Sequence, residues 1–211
     1  MATETRPEQY RTLTREGTSE FVEKKSRFIG YAAPALAEED ALHWIDSVRA
    51  RHPGCSAVLY AYVCGFSGQI QRYHDAHEPS GGLLMLEALK RESVVGAATA
   101  VVRYYGGIQL GAGPLGRAFG RAAAEAIAQA WPTVVERSLL FSASFDYGQS
   151  GGLEHWFQHS PYRLQGLEYG ERILARVLVR AAEEAAFRTA IADLTFGKSE
   201  PVLVSESYQA W

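Results

Sequence analysis

The sequence predicts an α+β protein with two domains, on the strength of three observations. Its 211 residues are 47% hydrophobic and 21% charged, which is typical of a globular chain that can bury one large core or two small ones. Short β-type segments are interleaved with helical patterns along the whole chain. About the last 75 residues follow a strand–helix–strand–strand–helix–strand order, which is typical of a ferredoxin-like domain.

The first predicted domain, residues 1–134, mixes strands with three helices. We expect a mostly antiparallel sheet with helices 37–51 and 114–130 on one face. The segments predicted in order are two or three strands in 8–33, helix 37–51, strand 55–65, its hairpin partner 65–73, loop 74–82, helix 83–92, strand 94–107 and helix 114–130.

The second predicted domain, residues 135–211, starts after Trp131 and Pro132, which close the long helix. Its predicted segments are strand 138–147, helix 150–159, a strand pair within 161–180, helix 181–194 and strand 200–206. We expect the two domains to meet between residues 131 and 137.

Charge and composition exclude several classes of protein. The net charge of -3 argues against general electrostatic attraction to nucleic acid. No apolar run approaches the roughly 18 residues of a spanning helix, so a membrane partner is not expected. The first 20 residues are polar, so we expect no signal peptide. Cys55 and Cys64 suggest no disulfide framework, which favours a cytoplasmic location.

The strongest candidate site is the segment 103–122, where a strand leads through a glycine-rich loop to a helix. The amino end of a helix carries free N–H groups and partial positive charge, and it attracts anions. Glycines lack the Cβ atoms that would keep a phosphate from the backbone. The candidate anion-binding residues here are Arg103, Gly106, Gly107, Gly111, Gly113, Arg117 and Arg121.

A structural interpretation of the same segment stays open. The glycines would then form a tight strand-to-helix turn, and Arg121 would pair with Glu125 four residues later. The order of the glycines matches neither a Walker loop nor a dinucleotide-binding fingerprint. On either interpretation, the apolar spacing predicts that the helix buries Leu115, Phe119, Ala122 and Ala126 and exposes Arg117 and Arg121.

The histidines and carboxylates suggest no catalytic or metal site. His74, Asp75, His77 and Glu78 resemble metal ligands in composition, but their spacing favours a polar turn with Ser80 as the helix N-cap. We therefore expect no metal and no cofactor, and we identify no catalytic residue. Whether the chain is an enzyme stays open, with a binding protein favoured.

Four segments resemble the IMPACT/YigZ family, in family order and within about residues 20–130. They are KKSRFIGYAAPA (24–35), HPGCSAVLYAY (52–62), EPSGG with LLMLEAL (78–89) and VVRYYGGIQLGAGPLGRAF (101–119). The last is the most specific, and the glycines and arginines of 103–118 match its signature. The loop 74–82 departs from the family pattern, because it keeps one aspartate of two and is two residues shorter.

The resemblance implies both folds and a role. It implies a first domain like the second domain of ribosomal small-subunit protein five and a second domain similar to the last domain of elongation factor G. A translation regulator that contacts RNA, the ribosome or a translation-related protein is then expected. Lys24, Lys25 and Arg27 would extend the anion-binding surface. The alternative is an enzyme acting on a phosphorylated small molecule, with Asp75 or Glu78 as catalytic candidate.

Overall fold

The computed structural model describes residues 6–78 and 80–211, which form two compact units of mixed α and β structure. The first unit contains Tyr10–Val134, and the second contains Pro7–Gln9 with Val135–Trp211. The prediction of mixed α and β structure is confirmed.

An antiparallel sheet forms the centre of the first unit, with strand order β2-β3-β6-β4-β5. Segments with the hydrophobic repeat of a strand and segments with that of a helix follow one another along the sequence, and the observed elements follow this order. The elements up to the long helix are β1 (Gln9–Leu13), β2 (Gly17–Glu23), β3 (Ser26–Pro34), α1 (Glu38–Arg51), β4 (Ala57–Cys64), β5 (Ile70–His74), α2 (Gly81–Arg91), β6 (Ala97–Tyr104) and α3 (Ala112–Gln129).

Helices cover both faces of this sheet. On β6, Ala100 and Val102 pack with Val48 of α1, whereas Val101 belongs to the cluster that contains Phe119 of α3. Neighbouring strand residues point to opposite faces, so α1 and α3 lie on opposite faces. The expectation that these two helices share a face is therefore wrong.

The apolar stripe of α3 follows the predicted spacing. Its helical repeat places one side chain per turn against the sheet. The structure buries Leu115, Phe119, Ala122 and Ala126 and exposes Arg117 and Arg121. That part of the prediction is confirmed.

The second unit is built on an antiparallel sheet with two helices on one face. Its elements are β7 (Pro132–Phe145), α4 (Ser150–His159), β8 (Arg163–Tyr169), β9 (Ile173–Arg180), α5 (Glu184–Thr195) and β10 (Val202–Gln209). The strands are ordered β10-β7-β9-β8. Phe157 of α4 and Phe187 of α5 share one core with Phe141 of β7 and Val177 of β9. The segment 7–9 joins the sheet where the Arg137 N–H donates to the Glu8 carbonyl (2.8 Å).

The two cysteines lie in different surroundings. Cys64 is fully buried in β4, its thiol donates to the Ala35 carbonyl (3.4 Å), and burial raises its pKa to about 11. Cys55 is half-buried at the start of the same strand region. In the part of the chain that the structure describes, no helix is long and apolar enough to cross a membrane.

Candidate functional site

A glycine loop, residues 105–111, joins β6 to α3. The helix begins at Ala112, two residues earlier than the pattern indicated, so Pro114 lies within its first turn. Gly107 and Gly111 take φ values of 83° and 84°, in the left-handed region that favours glycine. Among the described residues, no side chain caps this helix. The amino end of α3 is therefore free to accept an anion.

The turn between β2 and β3 brings two lysines to this loop. Lys24 and Lys25 are exposed and both have positive φ (44° and 64°), a left-handed pair that tight hairpins require. A Cβ on Gly106 would lie 2.0 Å from the Lys25 carbonyl carbon and oxygen. Because glycine alone permits this approach, the lysine turn (Lys24 and Lys25) packs directly against the glycine loop.

Arg103 is buried at the end of β6 rather than exposed to a phosphate. Its side chain is 6% exposed and pairs with Glu78, and its Nη2 donates to Ser26 Oγ (3.4 Å). Its guanidinium carbon lies 5.2 Å from the ring centre of Tyr105. The sequence pattern indicated Arg103 as a candidate anion-binding residue. The structure instead buries its guanidinium among Glu78, Ser26 and Tyr105.

The remaining predicted cations divide into two groups. Arg117 is exposed and makes no ion pair among the described residues. Arg121 pairs with Glu125 (2.8 Å), as the structural interpretation of this segment expected. Arg27 pairs with Glu20 (2.7 Å), whose carboxyl pKa is lowered by this hydrogen bond. The structure thus brings the lysine turn and Arg117 to the glycine loop with free charges, but not Arg27 or Arg121.

A cleft lies where the glycine loop meets α3, and we call it the loop cleft. Its volume is about 540 Å³, and Ser56, Glu78, Arg103, Tyr105, Leu110 and the start of α3 line it. Ser56 Oγ accepts the Tyr105 N–H (2.8 Å), so its own hydroxyl proton remains available. Sequence reasoning missed Ser56 and Tyr105, although Tyr105 lies inside the quoted glycine motif.

The loop 74–82 contacts the start of α2 through its aspartate. Asp75 Oδ1 accepts the Gly82 N–H (2.6 Å), and the His74 ring stacks on Tyr60 with centroids 5.1 Å apart. Ser80 stands at the N-cap, but within the described chain its side chain makes no capping bond, which corrects the expectation. Across residues 6–78 and 80–211, no three His, Cys, Asp or Glu side chains are grouped to hold a metal ion.

A second polar cluster lies on the sheet face that α1 covers. His52 Nε2 lies 2.8 Å from the Tyr31 hydroxyl, and Nδ1 lies 3.0 Å from the Tyr104 hydroxyl. Burial lowers the pKa of His52, and the nearby charges of Arg51 and Arg27 lower it further. A neutral ring can accept from one hydroxyl and donate to the other, so the cluster ties the end of α1 to two strands.

The fold and the loop cleft define a two-unit protein of mixed α and β structure with a cleft at the amino end of a long helix. Comparison with known families gives that class a name. The Impact N-terminal domain matches residues 24–127, and a domain of unknown function, DUF1949, matches residues 144–198. Together with the relatives described next, these matches show that the chain belongs to the IMPACT family.

Similar bacterial proteins cover most of the chain. The IMPACT family member YvyE of Bacillus subtilis is 35% identical over 195 residues, which is 90% of this chain and 89% of YvyE. The IMPACT family member YigZ of Escherichia coli is 32% identical over 187 residues, covering 87% of this chain and 92% of YigZ. A solved structure described as that of a hypothetical protein covers 95% of this chain and all of its own, with a TM-score of 0.61 and 30% identity.

Proposed function

We propose that this chain is a cytosolic regulatory protein of translation that contacts RNA or the ribosome. The contact surface would be the lysine turn, the glycine loop and Arg117, which we call the lysine–glycine surface. One observation carries the proposal, namely the packing of Gly106 on the Lys25 backbone. It joins two stretches of sequence about 80 residues apart into one positively charged surface.

The charges of this surface are available to a ligand. Lys24, Lys25 and Arg117 are exposed, and none of them forms an ion pair among the described residues. The Arg117 guanidinium also reaches back to the first turn, since its Nη1 lies 3.5 Å from a Cβ built on Gly113. Three free cations and a helix amino end suit a few phosphates of a nucleic-acid backbone.

The architecture supports the same proposal at a coarser level. The βαββαβ order of the second unit and its β10-β7-β9-β8 sheet fit a ferredoxin-like domain similar to the last domain of elongation factor G. We further propose that the first unit is like the second domain of ribosomal small-subunit protein five. Both are analogies of fold, so the contact surface carries the functional argument.

RNA affinity measured by fluorescence anisotropy at several salt concentrations tests the proposal. With about three phosphates neutralised, the logarithm of affinity falls against that of salt with a slope near -2 to -3. The variant Lys24→Gln/Lys25→Gln/Arg117→Gln loses binding at low salt. The control Arg91→Gln/Arg176→Gln/Lys198→Gln removes the same amount of charge elsewhere and retains RNA binding. Equal affinity of the two variants, or no wild-type binding at low salt, would favour a protein partner such as a translation factor.

One observation favours a second candidate, an enzyme acting on a phosphorylated small molecule. The sequence does not indicate how far Glu78 lies from the glycine loop. In the structure, Glu78 and the start of α3 line the same cleft. Glu78 is better placed for this role than Asp75, whose Oδ1 accepts the Gly82 N–H at the start of α2. Assays of phosphate release and transfer from sugar phosphates and nucleotides test the candidate, which requires activity in the wild type and its loss in Glu78→Gln.

A further inference from the structure

We propose that the loop cleft binds one nucleoside monophosphate unit. Its phosphate would lie at the start of α3, its base on Tyr105, and its sugar hydroxyls near Glu78 and Ser56. This proposal shares the glycine loop with the proposed function, but it uses side chains that an RNA backbone on the lysine–glycine surface does not need. The nucleotide could be free, or it could be an unstacked nucleotide of an RNA strand.

The buried guanidinium of Arg103 is the first observation that points to a ligand. A guanidinium has five N–H donors, and the guanidinium of Arg103 donates to Glu78 and Ser26. The buried Nε has no hydrogen-bond partner in the described structure. A buried donor without a partner costs free energy, and such groups normally have an acceptor. Arg103 lines the loop cleft, so a guanidinium with incomplete bonding forms part of the cleft wall.

The start of α3 supplies a separate place for the phosphate. The N–H groups of Ala112 and Gly113 open the helix, and Pro114 has no N–H to offer. The helix dipole adds partial positive charge at this end, and Arg117 lies one turn further along. Glu78 neutralises Arg103, so the helix end rather than Arg103 determines where the anionic group binds.

Tyr105 supplies a surface for a base. One face of its ring covers the guanidinium of Arg103, yet the residue is 48% exposed. The rest of the ring is therefore open for stacking, with Leu110 and Leu115 as apolar neighbours in the cleft. The cleft volume of about 540 Å³ lies within the range of about 300–1,000 Å³ that is common for small-molecule sites.

Hydrogen-bonding groups between these two places suit a sugar. The Glu78 carboxylate can accept from a hydroxyl while it stays paired with Arg103, because each carboxylate oxygen has two lone pairs. The Ser56 hydroxyl can donate, since its oxygen already accepts from the Tyr105 N–H. An anionic group, two hydroxyls and a flat ring together describe a nucleoside monophosphate better than inorganic phosphate.

Calorimetric titration of the full chain with AMP, UMP, ribose 5-phosphate and inorganic phosphate tests this proposal. We expect the nucleotides to bind more tightly than the two ligands without a base. Tyr105→Leu should weaken nucleotide binding about fivefold or more, while Tyr105→Phe retains it, because stacking requires the ring alone. Tyr169→Leu, at an exposed tyrosine of the second unit, is the matched control.

A short single-stranded RNA distinguishes the two sources and separates this proposal from the proposed function. If Tyr105→Leu weakens RNA but AMP does not bind, the cleft takes a nucleotide of a strand. If AMP binding is weakened by Tyr105→Leu while RNA binding is unchanged by substitution of Lys24 and Lys25, the cleft proposal stands and the proposed RNA surface is wrong. If Tyr105→Leu is folded by circular dichroism and changes neither AMP affinity nor RNA affinity, the cleft proposal is wrong.

Discussion

The two sheets of this protein differ in how many of their faces are covered by helices of their own unit. The first has α1 on one face and α2 with α3 on the other, so seven of the eight residues of β6 are buried. The second has α4 and α5 on one face, and β9 alternates between buried and exposed residues over its first half. A sheet covered on both faces keeps charged side chains out of the middle of its central strands, and the buried Thr99 of β6 donates to the Tyr31 carbonyl (2.9 Å).

This difference determines where each unit can bind a ligand. In the central strands β3, β6 and β4 of the first unit, charged residues are confined to strand ends, and the loop cleft lies at the end of β6. In the second unit, Arg176, Ser205 and Ser207 stand in mid-strand around an open cavity of about 480 Å³. Matched substitutions in the two sheets test this difference.

The largest expected effect comes from the ion pairs of the two sheets. Glu78→Leu leaves the buried Arg103 charge without its carboxylate and should lower the free energy of unfolding by about 3 kcal/mol. Glu168→Leu breaks the pair of Arg176 with Glu168, whose side chains are 55% and 58% exposed, and should change stability by less than about 0.5 kcal/mol. Urea unfolding followed by circular dichroism measures both.

A double substitution checks the cause of this loss. Arg103→Met/Glu78→Leu removes the buried charge together with its partner and should recover most of the stability. A double variant as unstable as Glu78→Leu alone would assign the loss to packing rather than to the unpaired charge.

A smaller effect is expected from a glycine in each sheet. A Cβ on Gly30 of β3 would lie 2.3 Å from the Ala122 carbonyl oxygen of α3, so Gly30→Ala forces the helix off the sheet. We expect a loss of about 2 kcal/mol. A Cβ on Gly166 of β8 meets nothing within 4 Å, and Gly166→Ala should leave the melting temperature unchanged. Equal melting temperatures for both variants would contradict the difference in coverage.

The smallest expected effect depends on pH. The pKa of His52 in the folded protein lies below its ordinary value of 6.5, so the unfolded chain binds a proton more readily at this site. The stabilisation by His52 is therefore present above pH 6.5 and is lost as the pH falls through the folded-state pKa. At pH 8, His52→Gln should cost about 1 kcal/mol through lost hydrogen bonds to Tyr31 and Tyr104.

Unfolding curves between pH 8 and pH 5 give the measurement. The difference between the wild type and His52→Gln should shrink on acidification. His159→Gln, which replaces an exposed histidine of α4, controls for general effects of the substitution. A difference that grows towards acid pH would have the wrong sign for a buried neutral histidine.

The strand and helix positions could be predicted because each element has its own periodicity. The sequence could not predict that helices cover both faces of the first sheet. The segment AATAVV of β6 is a run of small and apolar residues, which is compatible with coverage on one face or on both. Part of the site was also predictable, since the loop glycines and Arg117 lie in one motif. The Arg103–Glu78 pair spans 25 residues of chain, and no local pattern indicates a contact at that separation.

The contrast between the two cysteines has a practical consequence for thiol chemistry. Cys64 is closed to reagents by its complete burial, and its raised pKa of about 11 leaves little thiolate at neutral pH. Cys55 is half-buried and immediately precedes Ser56 of the loop cleft. A maleimide dye under native conditions therefore selects Cys55 without any engineered residue, and the unmodified sequence already carries an attachment point for a fluorescent reporter beside the cleft.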